Sequence, residues 1–302
     1  MGNQNLTKAR AAKNDEFYTR LWDIEQELKY YKEFFRGKRV YCPCDDANWS
    51  NFWKYFAMNF EHLGLKSLDA TCFHEGQHGE HWHYEGGYCD YEIFEDEGGF
   101  QNRNDILAKT DIVVTNPPFS LFREFVNWID DRDYVIIGPE TAQTYKESLP
   151  RIVSGRMGLG YTHVKEFDKP DGGVKNFGNI CWYTSLDIPK RHIKLEFYSR
   201  YNEQEYPHYD NYDAINVSKV NKIPCDYTGI MGVPITFLGK FCPEQFEILG
   251  TTRYHDGNDS ANDINYINGK LSFQRYLIRW KPEAMPRINE KGVIIYGKSK
   301  LN

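Results

Sequence analysis

The chain has little of what would place it in a membrane, in an oxidising compartment or among strongly basic proteins. No stretch of its 302 residues approaches the roughly 20 consecutive apolar residues that a membrane-spanning helix needs. Residues 1–13 are polar and carry no apolar core of the kind a secretion signal requires, so export is not expected. Seven cysteines, an odd number in no framework spacing, argue against a disulfide scaffold and fit a reducing cytoplasm. The net charge of −6 provides no overall basic footprint for phosphate contacts. Internal repeats and low-complexity tracts are also missing. What is there is an ordinary soluble composition, 40% hydrophobic and 26% charged, with a high aromatic share of 16%. These aromatics can fill core or stack on planar ligands.

Charge is unevenly distributed. Lys8, Arg10 and Lys13 lie in a polar amino-terminal arm, and Arg275, Arg279, Lys281, Arg287, Lys291, Lys298 and Lys300 make the carboxyl end basic. Acid gathers between Glu75 and Asp96. A solvated face explains such runs as well as a ligand does, so charge alone decides nothing.

Along the chain, Leu21, Ile24, Leu28, Tyr31 and Phe35 recur at helical spacing and predict one amphipathic helix, with Thr19 as N-cap and Gly37 just past its end. Residues 39–42 read as a first strand, 51–63 as a second helix closed by Gly64, and 65–73 as a second strand. The polar, His-rich stretch that follows reads as a loop or small insertion. A short helix at 104–109, a strand at 111–114, a helix at 122–129 and a strand at 133–137 complete an alternation that indicates a parallel, doubly wound α/β sheet. The glycines between Gly155 and Gly178 predict a loop-rich region, followed by an apolar strand at 179–184. Residues 198–212 read as ordered but irregular, with further elements expected at 237–249 and 271–280.

The most informative feature is Thr115-Asn116-Pro117-Pro118-Phe119, at the end of the apolar run that begins at Asp111. A pair of prolines cuts the strand, because proline cannot donate to a ladder, and holds Asn116 and Pro117 extended. Open α/β sheets keep their chemistry at this end of a strand. The segment offers an amide oxygen, free backbone carbonyls and a flat aromatic face, the parts needed to hold a planar ring that bears an amine. The same residues would also serve as a simple turn. The tetrapeptide resembles the Asn-Pro-Pro-aromatic signature of methyltransferases that modify the exocyclic nitrogen of adenine with S-adenosylmethionine. In that reading the Asn116 side-chain oxygen and the Pro117 carbonyl accept the two N–H bonds of the amine, which aims its lone pair at the methyl group. Phe119 stacks on a base that has left the duplex. Neither a metal nor a covalent nucleophile is required.

A methyl donor needs its own pocket. Phe17, Tyr18 and Thr19 precede the first helix and are candidates to meet the donor's carboxylate, although a capping sequence would look the same. The glycine-rich loop usual after a first strand is missing; Cys42-Pro43-Cys44-Asp45-Asp46 stands there instead. Cys44 and Asp45 are the candidates to approach the donor, Asp45 at its amino group, and Asp46 a candidate helix cap. Asp96 or Glu97 could bond the donor's adenine amine and Phe100 could pack on its ring. Asn116 is a further candidate to border the same pocket. Cys72, His74, His78, His81 and His83 crowd together, but their spacing matches no standard zinc pattern, and no metal is expected.

Longer segments extend the resemblance to the EcoRI-type family of adenine-specific DNA methyltransferases. They are DEFYT at 15–19, YCPCDDANWSNFWKYFAMNFEHLGLK at 41–66, DIVVTNPPFSLFREFV at 111–126, CWYTSLD at 181–187, YDNYDAINV at 209–217, and DYTGIMGVPITFL with CPEQFEILG between 226 and 250. The resemblance implies a Rossmann-like, S-adenosylmethionine-dependent methyltransferase sheet with an irregular carboxyl-terminal DNA-recognition region. The element pattern loosens after about residue 150 and sets a boundary near Ile188-Pro189-Lys190; with the resemblance, this divides the chain into a basic arm at 1–14, a catalytic domain at 15–190 and a target-recognition region at 191–302. The implied activity is site-specific N6-methylation of a flipped adenine in double-stranded DNA. The implied setting is the cytoplasm of a bacterial or phage-infected cell, with a possible companion restriction endonuclease. DNA contacts are expected from Lys8, Arg10, Lys13, Arg275 and Arg279. Methylation of RNA adenine or of a protein glutamine amide would use the same two N–H groups. A catalytically silent DNA-binding relative would keep the fold alone. Donor binding and labelled methyl transfer separate these readings.

Overall fold

The computed structural model describes residues 18–129, 131–169, 172–256 and 263–296. They form two compact units. The first takes the described residues up to Glu147 together with Leu159–Leu186; the second takes Ser148–Gly158 and the described residues from Asp187 onward.

The first unit is built on a nine-stranded mixed sheet. In chain order it contains β1 (Tyr18–Thr19), α1 (Leu21–Leu28), α2 (Lys32–Phe35), β2 (Arg39–Cys42), α3 (Asn51–Met58), α4 (Phe60–Leu63) and β3 (Ser67–Cys72). There follow β4 (Glu80–Glu85), β5 (Tyr88–Ile93), α5 (Asn104–Lys109), β6 (Ile112–Thr115), α6 (Phe122–Trp128) and β7 (Asp133–Pro139). In the second unit α7 spans Leu149–Val153; β8 (Gly158–Asp168) and β9 (Val174–Thr184) then return to the sheet. The strand order is β1-β8-β9-β7-β6-β2-β3-β4-β5. The four centre strands β7, β6, β2 and β3 are parallel, with Val40 opposite both Leu68 and Ile112, and Val113 opposite Tyr134. Being covered on both faces, these strands are near-continuous apolar runs, with Val40, Val113, Val114, Val135, Ile136 and Ile137 fully buried. The chain runs from β2 outward to β3 and later returns to β2's other side as β6, so a topological switch point lies between β2 and β6.

Four expectations are corrected. The helix predicted over 21–35 is two helices: the chain leaves helical geometry at Tyr31, whose buried hydroxyl bonds Glu27 at 2.8 Å. Buried Glu27 in turn accepts the backbone N–H groups of Tyr161 and Thr162 on β8, so a tertiary tie overrides the local pattern. Thr19 is not a helix cap but a buried β1 residue, and the capping position is Arg20, without a side-chain bond. The helix at 51–63 breaks at Asn59, whose side-chain amide bonds the Tyr55 carbonyl and competes with the helix ladder. Its cap is Ser50, which accepts from the N–H groups of Phe52 and Trp53, whereas Asp46 closes the preceding turn.

The His-rich stretch is the hairpin β4–β5, antiparallel to β3, turning through Gly86 and Gly87 at positive φ. Trp82 and Tyr84 on β4 meet Trp53 and Phe60. The alternating His81 and His83 both bond Asp69 on β3. That period of two, with a Gly-Gly pair behind it, was the available sequence signal. The glycine-punctuated region holds the 11-residue strands β8 and β9. Gly160 lies in β8 because a Cβ there would come within 2.2 Å of Glu27 Oε1.

The second unit contains a five-stranded sheet, ordered β10 (His208–Tyr209), β11 (Tyr212–Asn216), β12 (Ile230–Pro234), β16 (Arg275–Trp280) and β13 (Phe246–Thr251). The two-residue pairs β14 (Tyr266–Ile267) with β15 (Lys270–Leu271), and β17 (Arg287–Ile288) with β18 (Ile294–Ile295), stand apart from it. Tyr209, Ala214, Ile264 and Leu277 form one buried cluster, and Phe197, Phe246 and Trp280 pack ring to ring. Residues 198–212 are largely irregular apart from β10. Among the described residues no helix is long and apolar enough to cross a membrane.

Candidate active site

A cavity of about 710 Å³ opens at the carboxyl ends of β2, β3 and β6, within the first unit. Tyr18 and Thr19, the loop after β2, residues 73–75 and Gln77 after β3, and residues 116–121 after β6 line it.

The loop after β2 is held by bonds between distant residues. The Asp45 backbone N–H donates to the Thr71 carbonyl at 2.9 Å, and the Thr71 hydroxyl donates to the Pro43 carbonyl at 3.2 Å. The Asp45 carboxylate is the hub. Its Oδ1 accepts from the Ser50 hydroxyl at 2.6 Å and its Oδ2 from the Thr115 hydroxyl at 2.5 Å. Burial pushes this carboxyl up to about 6, against the pull of the two hydroxyls. Asp45 therefore ties the amino end of α3 to the end of β6, directly before Asn116. Burial likewise raises the thiols of Cys42 and Cys44 well above their usual value, and that of Cys72 to about 12, so none is a ready nucleophile.

Asn116, Pro117, Pro118 and Phe119 form one wall. The Phe119 ring meets Phe167 of β8 and Phe177 of β9 at centroid distances of 6.2 and 6.0 Å, and those two lie 5.6 Å apart, all nearly edge to face. Phe167 and Phe177 come from the region expected to be loop, so the sequence reading missed both.

Of the predicted donor residues, Tyr18, Thr19, Cys44, Asp45, Phe100 and Asn116 line the cavity. Thr19 Oγ1 is buried there without a hydrogen-bond partner among the described residues. Asp96 and Glu97 are not brought to the cavity wall. Asp96 accepts from the Gly98 N–H and from Arg103, which hold its carboxyl below the usual range, and Glu97 accepts from the Gly76 N–H. Both acids tie loops together. Glu75 and Phe73, beyond the end of β3, line the cavity instead; an acid after the second parallel strand was the signal that could have found Glu75. Phe17, Lys8, Arg10 and Lys13 lie outside the described residues. Arg275 and Arg279 stand on β16 of the second unit, Arg275 half-buried with its Nε 3.3 Å from Asn216 Oδ1, and Arg279 paired with Glu247 at 2.9 Å.

A cavity at the switch point of an α/β sheet is where open sheets bind their ligands, and here the Asn-Pro-Pro-Phe segment forms one of its walls. Comparison with known proteins narrows the class. The family described as "Adenine-specific methyltransferase EcoRI" matches over residues 5–97 and 88–283. Type II methyltransferase M.EcoRI of Escherichia coli is 42% identical over 92% of this chain and 97% of its own length. Type II methyltransferase M.MpnI of Mycoplasma pneumoniae is 34% identical over 93% of this chain and 99% of its own. Type II methyltransferase M.MgeORF184P of Mycoplasma genitalium is 29% identical over 91% and 98%. No solved structure matches the chain. The chain belongs to the EcoRI family of adenine-specific methyltransferases.

Proposed function

We infer that the protein is a site-specific DNA adenine methyltransferase, and that it takes its methyl group from S-adenosylmethionine bound in the cavity at the β2–β6 switch point. Membership of the family supports the activity. The observation that carries the site is the Asn116–Phe119 wall sharing one cavity with Thr19, Cys44 and Asp45.

The residues fit the donor. Thr19 Oγ1 is a buried polar atom with no hydrogen-bond partner among the described residues, and Asp45 sets a buried carboxylate where an ammonium group would be accepted. Glu75, which lines the cavity, would accept ribose hydroxyls, and Phe73 and Phe100, which line it too, would flank a purine. When bound, S-adenosylmethionine supplies a methyl group on a positively charged sulfur. The chain's own task is orientation. Asn116 and the Pro117 carbonyl receive the two N–H bonds of the adenine N6 amine, fixing the direction of its lone pair. Phe119 stacks on the flipped base, braced edge-on by Phe167 and Phe177. Alignment of this kind accounts for a large part of the acceleration.

The finer assignments belong to the same proposal. The first unit is a Rossmann-like catalytic domain and the second unit the target-recognition region. Double-stranded DNA is the partner, contacted from Arg275 and Arg279 and from Lys8, Arg10 and Lys13 in the basic arm. The cytoplasm of a bacterial or phage-infected bacterial cell is the proposed setting, and a restriction endonuclease acting on the same site is the kind of companion that this activity would protect against.

The test is transfer of tritiated methyl from S-adenosylmethionine to unmethylated plasmid DNA, followed by sequencing that reports modified adenine. Methylated adenine in one sequence context is expected, with Asn116→Ala losing at least about 100-fold in rate while still binding DNA. Near-normal turnover of that variant would remove Asn116 from its role.

A further inference from the structure

The loop after β3 brings together three side chains that the methyl-transfer reading leaves unused. Cys72 Sγ lies 3.0 Å from His74 Nε2, and His74 Nε2 lies 3.9 Å from Asp46 Oδ2. The three ligand atoms all fall within 4.8 Å of one another, and all three residues line the cavity. A tetrahedral zinc-type ion with ordinary bond lengths holds its ligand atoms roughly 3.3–3.8 Å apart. A thiolate, an imidazole and one carboxylate oxygen are the donor types that select such ions over magnesium or calcium. Histidine spacing alone missed this set because its third member comes from the loop after β2, and His78, His81 and His83 take no part.

The ligands are held by contacts independent of any ion. Asp46 Oδ1 accepts the Asn48 N–H at 2.8 Å within its own turn, which leaves Oδ2 directed at His74. The His74 backbone N–H donates to the Glu97 carbonyl at 2.9 Å, and the Gly79 N–H to the Asp96 carbonyl at 2.8 Å. Gly98 and Gly79 admit this packing: a Cβ on Gly98 would come within 2.2 Å of the Cys72 carbonyl oxygen, and one on Gly79 within 2.3 Å of Gly98 Cα. Cys72 itself ends a buried strand. The side chains thus sit on a braced frame, with the cavity supplying the remaining side of the coordination sphere.

We propose that Asp46, Cys72 and His74 form a binding site for a thiophilic divalent cation such as zinc, and that its occupancy opposes binding of the methyl donor. The second part rests on the assignment of the cavity to S-adenosylmethionine. A divalent charge beside Asp45 repels a donor that carries a sulfonium and an ammonium, and it competes for the same volume.

The experiment is titration of the full-length protein with Co²⁺ as spectroscopic probe, then with Zn²⁺. One equivalent should bring up a sulfur-to-cobalt charge-transfer band in the near ultraviolet together with visible bands of four-coordinate cobalt. Cys72→Ser should lose the charge-transfer band, while Cys89→Ser, which removes the exposed cysteine, should keep it. His74→Asn, at a half-exposed position that does not threaten folding, should weaken Co²⁺ binding by about tenfold or more. Saturating Zn²⁺ should lower affinity for S-adenosylhomocysteine by about tenfold or more in the parent and leave it unchanged in Cys72→Ser. No charge-transfer band, or one that survives in Cys72→Ser, would overturn the site. Unaltered S-adenosylhomocysteine affinity at saturating Zn²⁺ would overturn the antagonism. The cobalt spectrum is read without donor, so its absence counts against the metal site alone. Metal-free protein that binds no S-adenosylhomocysteine counts against the donor reading alone.

Discussion

Thr115→Val tests the link between the two halves of the cavity. Thr115 is fully buried at the end of β6, and its hydroxyl donates to Asp45 Oδ2 at 2.5 Å across 70 positions of sequence. Valine keeps the shape and the strand preference, so the change removes one hydroxyl and little else. At pH 8, above the Asp45 value of about 6, the carboxylate is ionised. A hydrogen bond to a charged group contributes about 1.5–3 kcal/mol, and the Ser50 bond keeps the carboxylate from being orphaned. Urea unfolding at pH 8 should therefore show a loss of about 2 kcal/mol. Ser50→Ala removes the other hydroxyl and also the cap of α3, and the double variant should depart from additivity because both groups serve one carboxylate. Release of β6 from the Asp45 loop lets Asn116 drift, so methyl transfer should fall by about 10- to 100-fold. Unfolding of Thr115→Val within about 0.5 kcal/mol of the parent would refute the claim that Asp45 is held ionised by this hydroxyl.

Three further expectations follow from the geometry. Phe119→Ala should abolish the fluorescence change of a 2-aminopurine placed at the target, and Phe177→Ala should diminish it; an unchanged signal in Phe119→Ala would exclude stacking by that ring. Replacing Arg275 and Arg279 by alanine should weaken DNA binding and lower the salt slope by up to about 2, less if the Glu247 pairing already screens Arg279; no change in either would place the DNA elsewhere. The β4–β5 hairpin should be pH-sensitive. Burial lowers the His81 value, but bonds to Asp69 and Glu92 outweigh it and raise the net value above 6.5. Burial raises Asp69, but His81 and His83 bring it below 3.8. The His81 contribution is complete below about pH 6.5 and fades as pH rises through the higher folded value, while the Asp69 contribution is present above about 3.8 and is lost on acidification. Amide protection of the hairpin, corrected for intrinsic exchange, should be greater at pH 6 than at pH 9; equal protection would refute the pairing.

The sequence by itself determined the parallel centre of the sheet and the Asn-Pro-Pro-Phe segment that walls the cavity. Val40, Val113, Val114, Val135 and Ile136 lie in short apolar runs bounded by turn residues, and burial on both faces makes such runs legible without knowing their neighbours. Asn116-Pro117-Pro118-Phe119 was legible because the prolines restrict the backbone locally. Tertiary structure decided whatever depends on partners far along the chain. It split the first helix at Tyr31, where buried Glu27 is claimed by β8, and it made strands of a glycine-rich stretch in which Gly160 gives room to that same carboxylate. It kept Asp96 and Glu97 for loop bonds and brought Glu75 to the cavity. It tied Asp45 to Thr115 and set Asp46 beside Cys72 and His74. Local periodicity reports which face of an element is apolar; which polar groups then meet is fixed by sheet order and loop closure, which no window of sequence contains.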